Sequence, residues 1–139
     1  MTSKLNPYVN FRGQARAALE FWHSVFGGDL NIMTFRDSGG MGVDDAEQDQ
    51  VMHGQIDSPA VTIMAADAPA HMELANASYM SISLSGDDEA ELTSWFNALS
   101  QGGTVSMPLS KAPWGDTFGM FSDKFGVQWL VNIAGSPTG

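Results

Sequence analysis

The sequence contains no cysteine among its 139 residues. This absence excludes disulfide bonds, cysteine-ligated zinc and a cysteine nucleophile. Basic residues are also scarce, because 6 Lys and Arg stand against 16 Asp and Glu and give a formal net charge of −10. The phosphates of DNA and RNA would be repelled by such a chain, so we do not expect nucleic acid as a partner.

Long apolar runs are missing as well. No window approaches the roughly 18 uninterrupted apolar residues of a membrane span. The first residues, MTSKLNPYVNF, contain no apolar segment of the kind found in a signal peptide. We therefore expect a cytoplasmic protein without a membrane partner. The length predicts a single domain over residues 1–139.

Apolar residues follow two different periods along the chain, which separate strands from helices. Alternation with a period of two predicts strands at residues 5–11, 30–35, 51–57, 60–66, 79–84, 104–107, 117–122 and 128–133. Spacings of three and four predict amphipathic helices at residues 15–26 and 90–99. An acidic, glycine-rich stretch at residues 37–50 predicts a mobile surface loop.

The order of these predicted elements repeats. Each half reads strand, helix with an aromatic pair, Gly-Gly, then three strands. The halves, at about residues 4–67 and 78–134, predict two βαβββ modules within one α+β domain. The helix of each module covers one face of its sheet, so the bare faces can pack together or curl around a ligand-sized cleft.

Polar and large side chains within the strand patterns are the candidates for lining this cleft. The predicted ligand pocket consists of Asn10, His53, Met64, Tyr79, Ser81, Trp114, Phe118 and Trp129. Such residues provide the few polar contacts and the apolar contact area that small-molecule sites need. The alternative interpretation is that most of the aromatic residues form ordinary core.

Catalytic groups are few. His53 is the candidate acid or base, because it lies in a predicted strand and imidazole titrates near neutral pH. The alternative is a buried, hydrogen-bonded structural histidine. His23 lies on the first helix, and His71 with Glu73 forms only a weak metal motif in a loop. The sequence has neither a Gly-x-Ser-x-Gly turn nor a P-loop.

Five motifs are spread over nearly the whole chain. They are PYVNF at residues 7–11, ALEFW at 18–22, IMAAD at 63–67, WFNAL at 95–99 and DKFGVQWLVN at 123–132. Together they resemble the PhnB-like branch of the vicinal oxygen chelate superfamily, which includes glyoxalase I, bleomycin-resistance proteins and dioxygenases. The resemblance implies paired βαβββ modules, a cup-shaped mixed sheet around a cavity and a homodimer.

The resemblance also implies where metal ligands would stand. Metalloenzymes of the superfamily use a His in the first strand of a module and a Glu in the final strand. Near those places this chain has Tyr8 and Asn10 in the first module, Tyr79, Ser81 and Ser83 in the second, and Leu130 in the last strand. A divalent metal is conceivable, but the usual ligands are absent and no cofactor is expected.

We therefore expect a PhnB-like protein that binds a small molecule without the usual metal site. The acidic surface favours cationic ligands. The alternative is a metal-dependent or His-assisted lyase, isomerase or dioxygenase-type enzyme, in which His53 acts with Asn10 or Asp67. A third interpretation is a scaffold that has no dedicated ligand.

Overall fold

A computed structural model describes residues 5–73 and 80–135. The chain divides into two compact units, Met1–Ala75 and Asn76–Gly139. Both units have the same order of elements, which is strand, helix and three further strands. The two βαβββ modules and the α+β class predicted from the sequence are confirmed.

The first unit is built around one four-stranded mixed sheet. Its elements are β1 (Tyr8–Phe11), α1 (Ala15–Phe26), β2 (Asp29–Thr34), β3 (Val51–Asp57) and β4 (Thr62–Asp67). The strand order is β1-β4-β3-β2. β1 and β4 run parallel, whereas the pairs β3–β4 and β2–β3 are antiparallel. The strand that follows Pro7 is shorter than predicted and starts at Tyr8, since proline has no N–H for a ladder.

The second unit repeats this topology. Its elements are β5 (Ile82–Gly86), α2 (Glu89–Leu99), β6 (Thr104–Lys111), β7 (Thr117–Ser122) and β8 (Gln128–Ile133). The strand order is β5-β8-β7-β6, with β5 and β8 parallel. α2 begins at a capping residue, because the Asp88 carboxylate accepts a hydrogen bond of 3.0 Å from the Glu91 N–H.

Each unit buries its own apolar core between helix and sheet. The largest fully buried side chains of the first unit are Trp22, Leu19, Ile56, Ile63 and Val51. Those of the second unit are Trp129, Leu99 and Val131. The helices α1 and α2 have 12 and 11 residues, and no helix in the described ranges is long and apolar enough to cross a bilayer.

Residues 37–50 are more ordered than a featureless loop. A short 3-10 helix at Arg36–Ser38 overlaps the start of this stretch, and a second lies within it at Asp45–Glu47. The Gln48 side-chain amide donates to the carbonyl oxygens of Gly40 and Val43 at 3.1 and 2.8 Å, and Val43 is buried. The backbone N–H of Gly40 also donates to the Phe35 carbonyl oxygen at 2.7 Å, and the abundance of acids and glycines did not reveal this local hydrogen bonding.

Candidate functional site

The contact between α1 and the first sheet fixes which side chains lie on the opposite face. Gly54 lies under Leu19, since a Cβ on Gly54 would stand 2.2 Å from Leu19 Cδ1. Phe11 also faces the helix, with its ring 6.0 Å from that of Trp22. Side chains alternate along a strand, so the neighbours of these residues point away from α1. We call that face the polar face, formed by Tyr8, Asn10, His53, Gln55, Asp57, Thr62 and Met64.

A β-bulge at Met52 decides where His53 points. Met33 of β2 lies opposite His53 and Thr34 lies opposite Val51, so Met52 is the extra residue of β3. Val51 is fully buried in the core. In a regular strand His53, two residues further on, would share the face of Val51. The bulge reverses the alternation and turns His53 to the polar face.

Three side chains that alternate along β3 form a hydrogen-bonded row. His53 Nε2 lies 3.3 Å from Gln55 Oε1. Gln55 Nε2 donates to both carboxylate oxygens of Asp57, at 3.1 and 2.9 Å. The Thr62 hydroxyl of β4 donates to the same carboxylate at 3.3 Å. The row links an imidazole to a carboxylate through one amide, and it holds all of these side chains in defined orientations.

Tyr8 lies beside the histidine end of this row. Its ring centroid is 5.7 Å from that of His53, and the planes are tilted by 41°. Burial raises the pKa of the Tyr8 phenol above its ordinary value of 10.0, so the hydroxyl keeps its proton. Met64 pairs with Tyr8 in the register of β1 and β4, and Asn10 pairs with Ala66. The structure therefore brings Asn10, His53 and Met64, all predicted pocket residues, onto one face.

The edge strand β2 adds a second carboxylate to this face. Asp29 lies opposite Asp57, Asn31 opposite Gln55, and Met33 opposite His53. The ion pair found in the described part of the chain joins Arg36 to Asp49 and involves neither Asp29 nor Asp57. The end of the polar face that carries these two carboxylates is consequently negative.

The predicted pocket residues of the second unit are less concentrated. Phe118 lies opposite Asn132. The next residue, Gly119, lies under Phe96 of α2, so Phe118 points to the opposite face of the sheet, away from the helix. Ser81 is exposed and precedes β5. Trp114 is 69 % exposed and lies in the turn between β6 and β7. The prediction for Tyr79 falls outside the described residues.

Trp129 requires a correction, because it belongs to the core of the second unit on the α2 side. It is 1 % exposed, and its ring stacks with that of Phe121 at 6.4 Å between centroids. Its indole N–H donates to a carboxylate oxygen of Asp123 at 3.0 Å. The alternation along β8 gives the other face to its neighbours Leu130 and Asn132.

Asp67 does not join His53, so of the two partners that the alternative hypothesis named, only Asn10 lies on the same face as the histidine. Asp67 is 3 % exposed and lies opposite Phe11, on the side of α1. Its carboxylate is occupied by three backbone N–H groups, those of Gly13 at 2.7 Å, Ala15 at 3.0 Å and Val51 at 3.0 Å. This aspartate ties the start of the helix to the sheet, and its role is structural.

The other two histidines lie away from the polar face. His23 Nε2 is 2.9 Å from the Gly28 carbonyl oxygen at the end of α1. His71 is an exposed residue of the connection that follows β4. His53 is therefore the histidine that the structure places among other predicted site residues.

The comparison with known proteins decides the family. A match to the family described as 3-demethylubiquinone-9 3-methyltransferase spans residues 3–132. The chain belongs to this family. Protein PA1353 from Pseudomonas aeruginosa is 35 % identical to this chain and superposes with a TM-score of 0.85. The match covers 97 % of this chain and 100 % of PA1353. The PhnB protein from Bacillus cereus is 25 % identical, with 95 % and 100 % coverage and a TM-score of 0.74.

A more distant structure identifies the fold of this family member. The glyoxylase/bleomycin resistance protein/dioxygenase domain from Frankia sp. EAN1pec is 10 % identical to this chain and superposes with a TM-score of 0.67. The match covers 99 % of this chain and 96 % of the Frankia domain. The resemblance to PhnB-like proteins with a glyoxalase-like fold is thereby confirmed. The description of the family names a methyl transfer, yet the βαβββ units differ from the doubly wound parallel sheet that binds nucleotide cofactors.

The residues near the metal positions that the resemblance implies lack the usual His and Glu ligands. The first strands carry Tyr8, Asn10 and Ser83, and the last strand carries Leu130. Stable sites need several converging His or carboxylate ligands. Within residues 5–73 and 80–135, no group of three or more His, Asp or Glu side chains is arranged to hold an ion.

Asp29, Asp57 and Thr62 are functional candidates that the sequence reasoning missed. Asp57 was visible in principle, since His53, Gln55 and Asp57 stand at every second position of a correctly predicted strand. The role of Thr62 was not visible in the sequence, because its contact with Asp57 depends on the register between β3 and β4. That register is set by the turn at residues 58–61, whose geometry the alternation of apolar residues does not indicate.

Proposed function

We propose that the polar face of the first unit binds a small molecule that is cationic or carries hydroxyl groups, and that it does so without a metal ion. The observation that carries the proposal is the row from His53 through Gln55 to Asp57. Polar side chains held in fixed orientations cost little entropy when a ligand binds. Such a row beside an aromatic ring and a thioether has the mixed composition of small-molecule sites.

The charge of the face supports the choice of ligand class. Asp29 and Asp57 stand opposite each other at one end, and the chain as a whole carries a net charge of −10. A negative field raises the local concentration of cations. The Tyr8 ring adds a surface on which an ammonium group can be stabilised by a cation–π contact.

The test is a calorimetric titration with benzylammonium, a small aromatic cation. We expect saturable binding that His53→Ala and Tyr8→Ala each weaken by about tenfold, the size of one hydrogen bond to a charged group or one cation–π contact. His71→Ala is the matched control, because it removes an exposed histidine far from β3 in sequence. If neither His53→Ala nor Tyr8→Ala weakens the binding, the ligand does not bind at the proposed site.

A second candidate is a His-assisted enzyme that transfers a proton on a small oxygenated compound. The observation in its favour is that His53 is oriented by Gln55, as a catalytic base is oriented by a third group. Incubation with hydroxyacetone in D₂O, followed by proton NMR, measures exchange of the hydrogens next to the carbonyl. If the wild-type protein exchanges these hydrogens faster than buffer alone and His53→Ala does not, the result supports an enzyme. Exchange at the buffer rate argues for a binding protein.

We also propose that the protein is a homodimer. Each sheet ends in edge strands, β1 and β2 in the first unit and β5 and β6 in the second. Edge strands offer unpaired backbone groups that a second copy can cover. Light scattering should give about twice the chain mass of 14.9 kDa. The mass of a single chain at high concentration would contradict this part of the proposal.

A further inference from the structure

The Asp57 carboxylate fixes the orientation of the Gln55 amide. An ionised carboxylate only accepts hydrogen bonds, whereas an amide has one accepting oxygen and one donating nitrogen. The two carboxylate oxygens of Asp57 lie 3.1 and 2.9 Å from the Gln55 nitrogen. The opposite orientation would set the amide oxygen against two carboxylate oxygens, which repel it. The Gln55 oxygen must therefore face His53.

The Gln55 oxygen in turn fixes the tautomer of His53. An amide oxygen accepts and cannot donate, so the contact of 3.3 Å requires a proton on His53 Nε2. A neutral imidazole carries a single N–H. In the neutral ring, His53 Nδ1 consequently carries the lone pair and can accept a hydrogen bond.

We propose that His53 presents an unprotonated Nδ1 to the ligand, so that the site selects molecules carrying a hydrogen-bond donor, an ammonium N–H or a hydroxyl. This inference rests on the proposed function, because it describes the ligand of the same face. Tyr8 of β1 complements it from across the intervening strand β4, with its ring 5.7 Å from that of His53, since its hydroxyl remains protonated and can donate. A ligand with one donor and one acceptor would satisfy both residues.

The tautomer is measured without any ligand, by nitrogen-15 NMR of the imidazole rings at an alkaline pH where neutral histidine prevails. We expect His53 to give the chemical shifts of the Nε2–H tautomer in the full-length protein. Asp57→Asn should shift it towards a mixture, because an asparagine side chain can accept or donate and no longer fixes Gln55. Asn31→Ala is the matched control, since it removes an amide opposite Gln55 and should leave the tautomer unchanged.

Two outcomes of this measurement overturn the inference. One is a wild-type His53 in the Nδ1–H tautomer, and the other is an even mixture of the two tautomers. A failure of Asp57→Asn to fold does not affect the result, because the wild-type spectrum alone distinguishes the tautomers.

The ligand class is tested with two cations of equal charge. Benzylammonium carries N–H donors, whereas benzyltrimethylammonium carries none. We expect benzylammonium to bind about tenfold more tightly and to perturb the His53 Nδ1 resonance, which is the effect of one hydrogen bond to a charged group. Equal binding of both overturns the donor requirement and leaves the proposed function standing. Binding of neither, with His53 in the Nε2–H tautomer, overturns the proposed function and the ligand class together.

Discussion

At the scale of single residues, two buried aspartates hold the backbone around them. Asp67 and Asp123 are each 3 % exposed. As in Asp67, one carboxylate oxygen of Asp123 accepts from two backbone N–H groups, those of Phe125 at 2.9 Å and Val127 at 3.1 Å. The other oxygen accepts from the Trp129 indole. Both carboxylates thus accept hydrogen bonds from backbone N–H groups that find no carbonyl partner in a sheet or helix, at turns and at the start of a helix.

Asp67→Asn should be less damaging than Asp67→Ala. The asparagine oxygen can still accept from Gly13 and Ala15, but its NH₂ group would face the Val51 N–H, at a cost of roughly 1–3 kcal/mol. Alanine leaves all three N–H groups without their acceptor and should cost more, about 3 kcal/mol or above. Urea unfolding measures both, with the exposed Asp87→Asn as control. An Asp67→Ala protein as stable as wild type would show that water replaces the carboxylate.

Asp116 makes stability depend on pH in a defined direction. The Gly135 N–H, followed by the Asn132 amide, holds the pKa of Asp116 below its ordinary value of 3.8. A lowered pKa means that the ionised group stabilises the fold above the ordinary value, and that this contribution is lost as the pH falls through the lowered one. Asp116→Asn should therefore lower the Tm at neutral pH and leave it nearly unchanged at about pH 2. A difference in Tm that stays constant across this range would contradict the assignment.

At the scale of elements, the sequence predicted regular segments well and irregular ones poorly. Helix α1 and the strands β3, β7 and β8 have the predicted bounds, because their apolar patterns mark where each segment ends, even though a bulge interrupts the alternation within β3. β6 extends to Lys111 instead of residue 107. Pro108 interrupts the pattern there, but β6 is an edge strand with two register shifts, where a proline is tolerated.

The bulge at Met52 is the element-scale feature that turns His53 to the polar face, and deleting this residue tests whether Met52 is the extra one. The deletion makes Val51 and His53 neighbours in the sequence, and neighbours in a regular strand point to opposite faces. The valine therefore stays in the core and the imidazole stays on the polar face, opposite Thr34 and Met33 as before. We expect a loss in urea unfolding smaller than the cost of exposing a buried valine, which is about 1.5–3 kcal/mol. Deletion of Met41, an exposed methionine of the 37–50 loop, is the control and should cost a similarly small amount. A loss above this range for the Met52 deletion alone would contradict the assignment of Met52 as the extra residue.

At the scale of the whole molecule, the internal repeat predicted the topology because both units solve the same packing problem. In each, a glycine of the third strand lies under the helix, Gly54 below Leu19 and Gly119 below Phe96. The predicted pocket residues Asn10, His53 and Met64 lie on one face of the structure, although neither this grouping nor the bulge was visible in the sequence. Trp129 was misassigned, because its hydrogen-bonding indole is satisfied inside the core by Asp123. The cavity expected between modules stays a prediction.

Measurements of metal binding distinguish non-specific attraction by the net charge of the molecule from binding at a specific metal site. A net charge of −10 attracts divalent cations, but attraction between exposed charges is screened at physiological ionic strength within about 8 Å. A built site binds through converging ligands and persists in salt. Equilibrium dialysis against Zn²⁺ or Mn²⁺, followed by elemental analysis, should find ions at low ionic strength and less than about a tenth of an equivalent at about 0.15 M NaCl. One equivalent retained in salt, and lost in His53→Ala but not in His71→Ala, would instead make the polar face a metal centre.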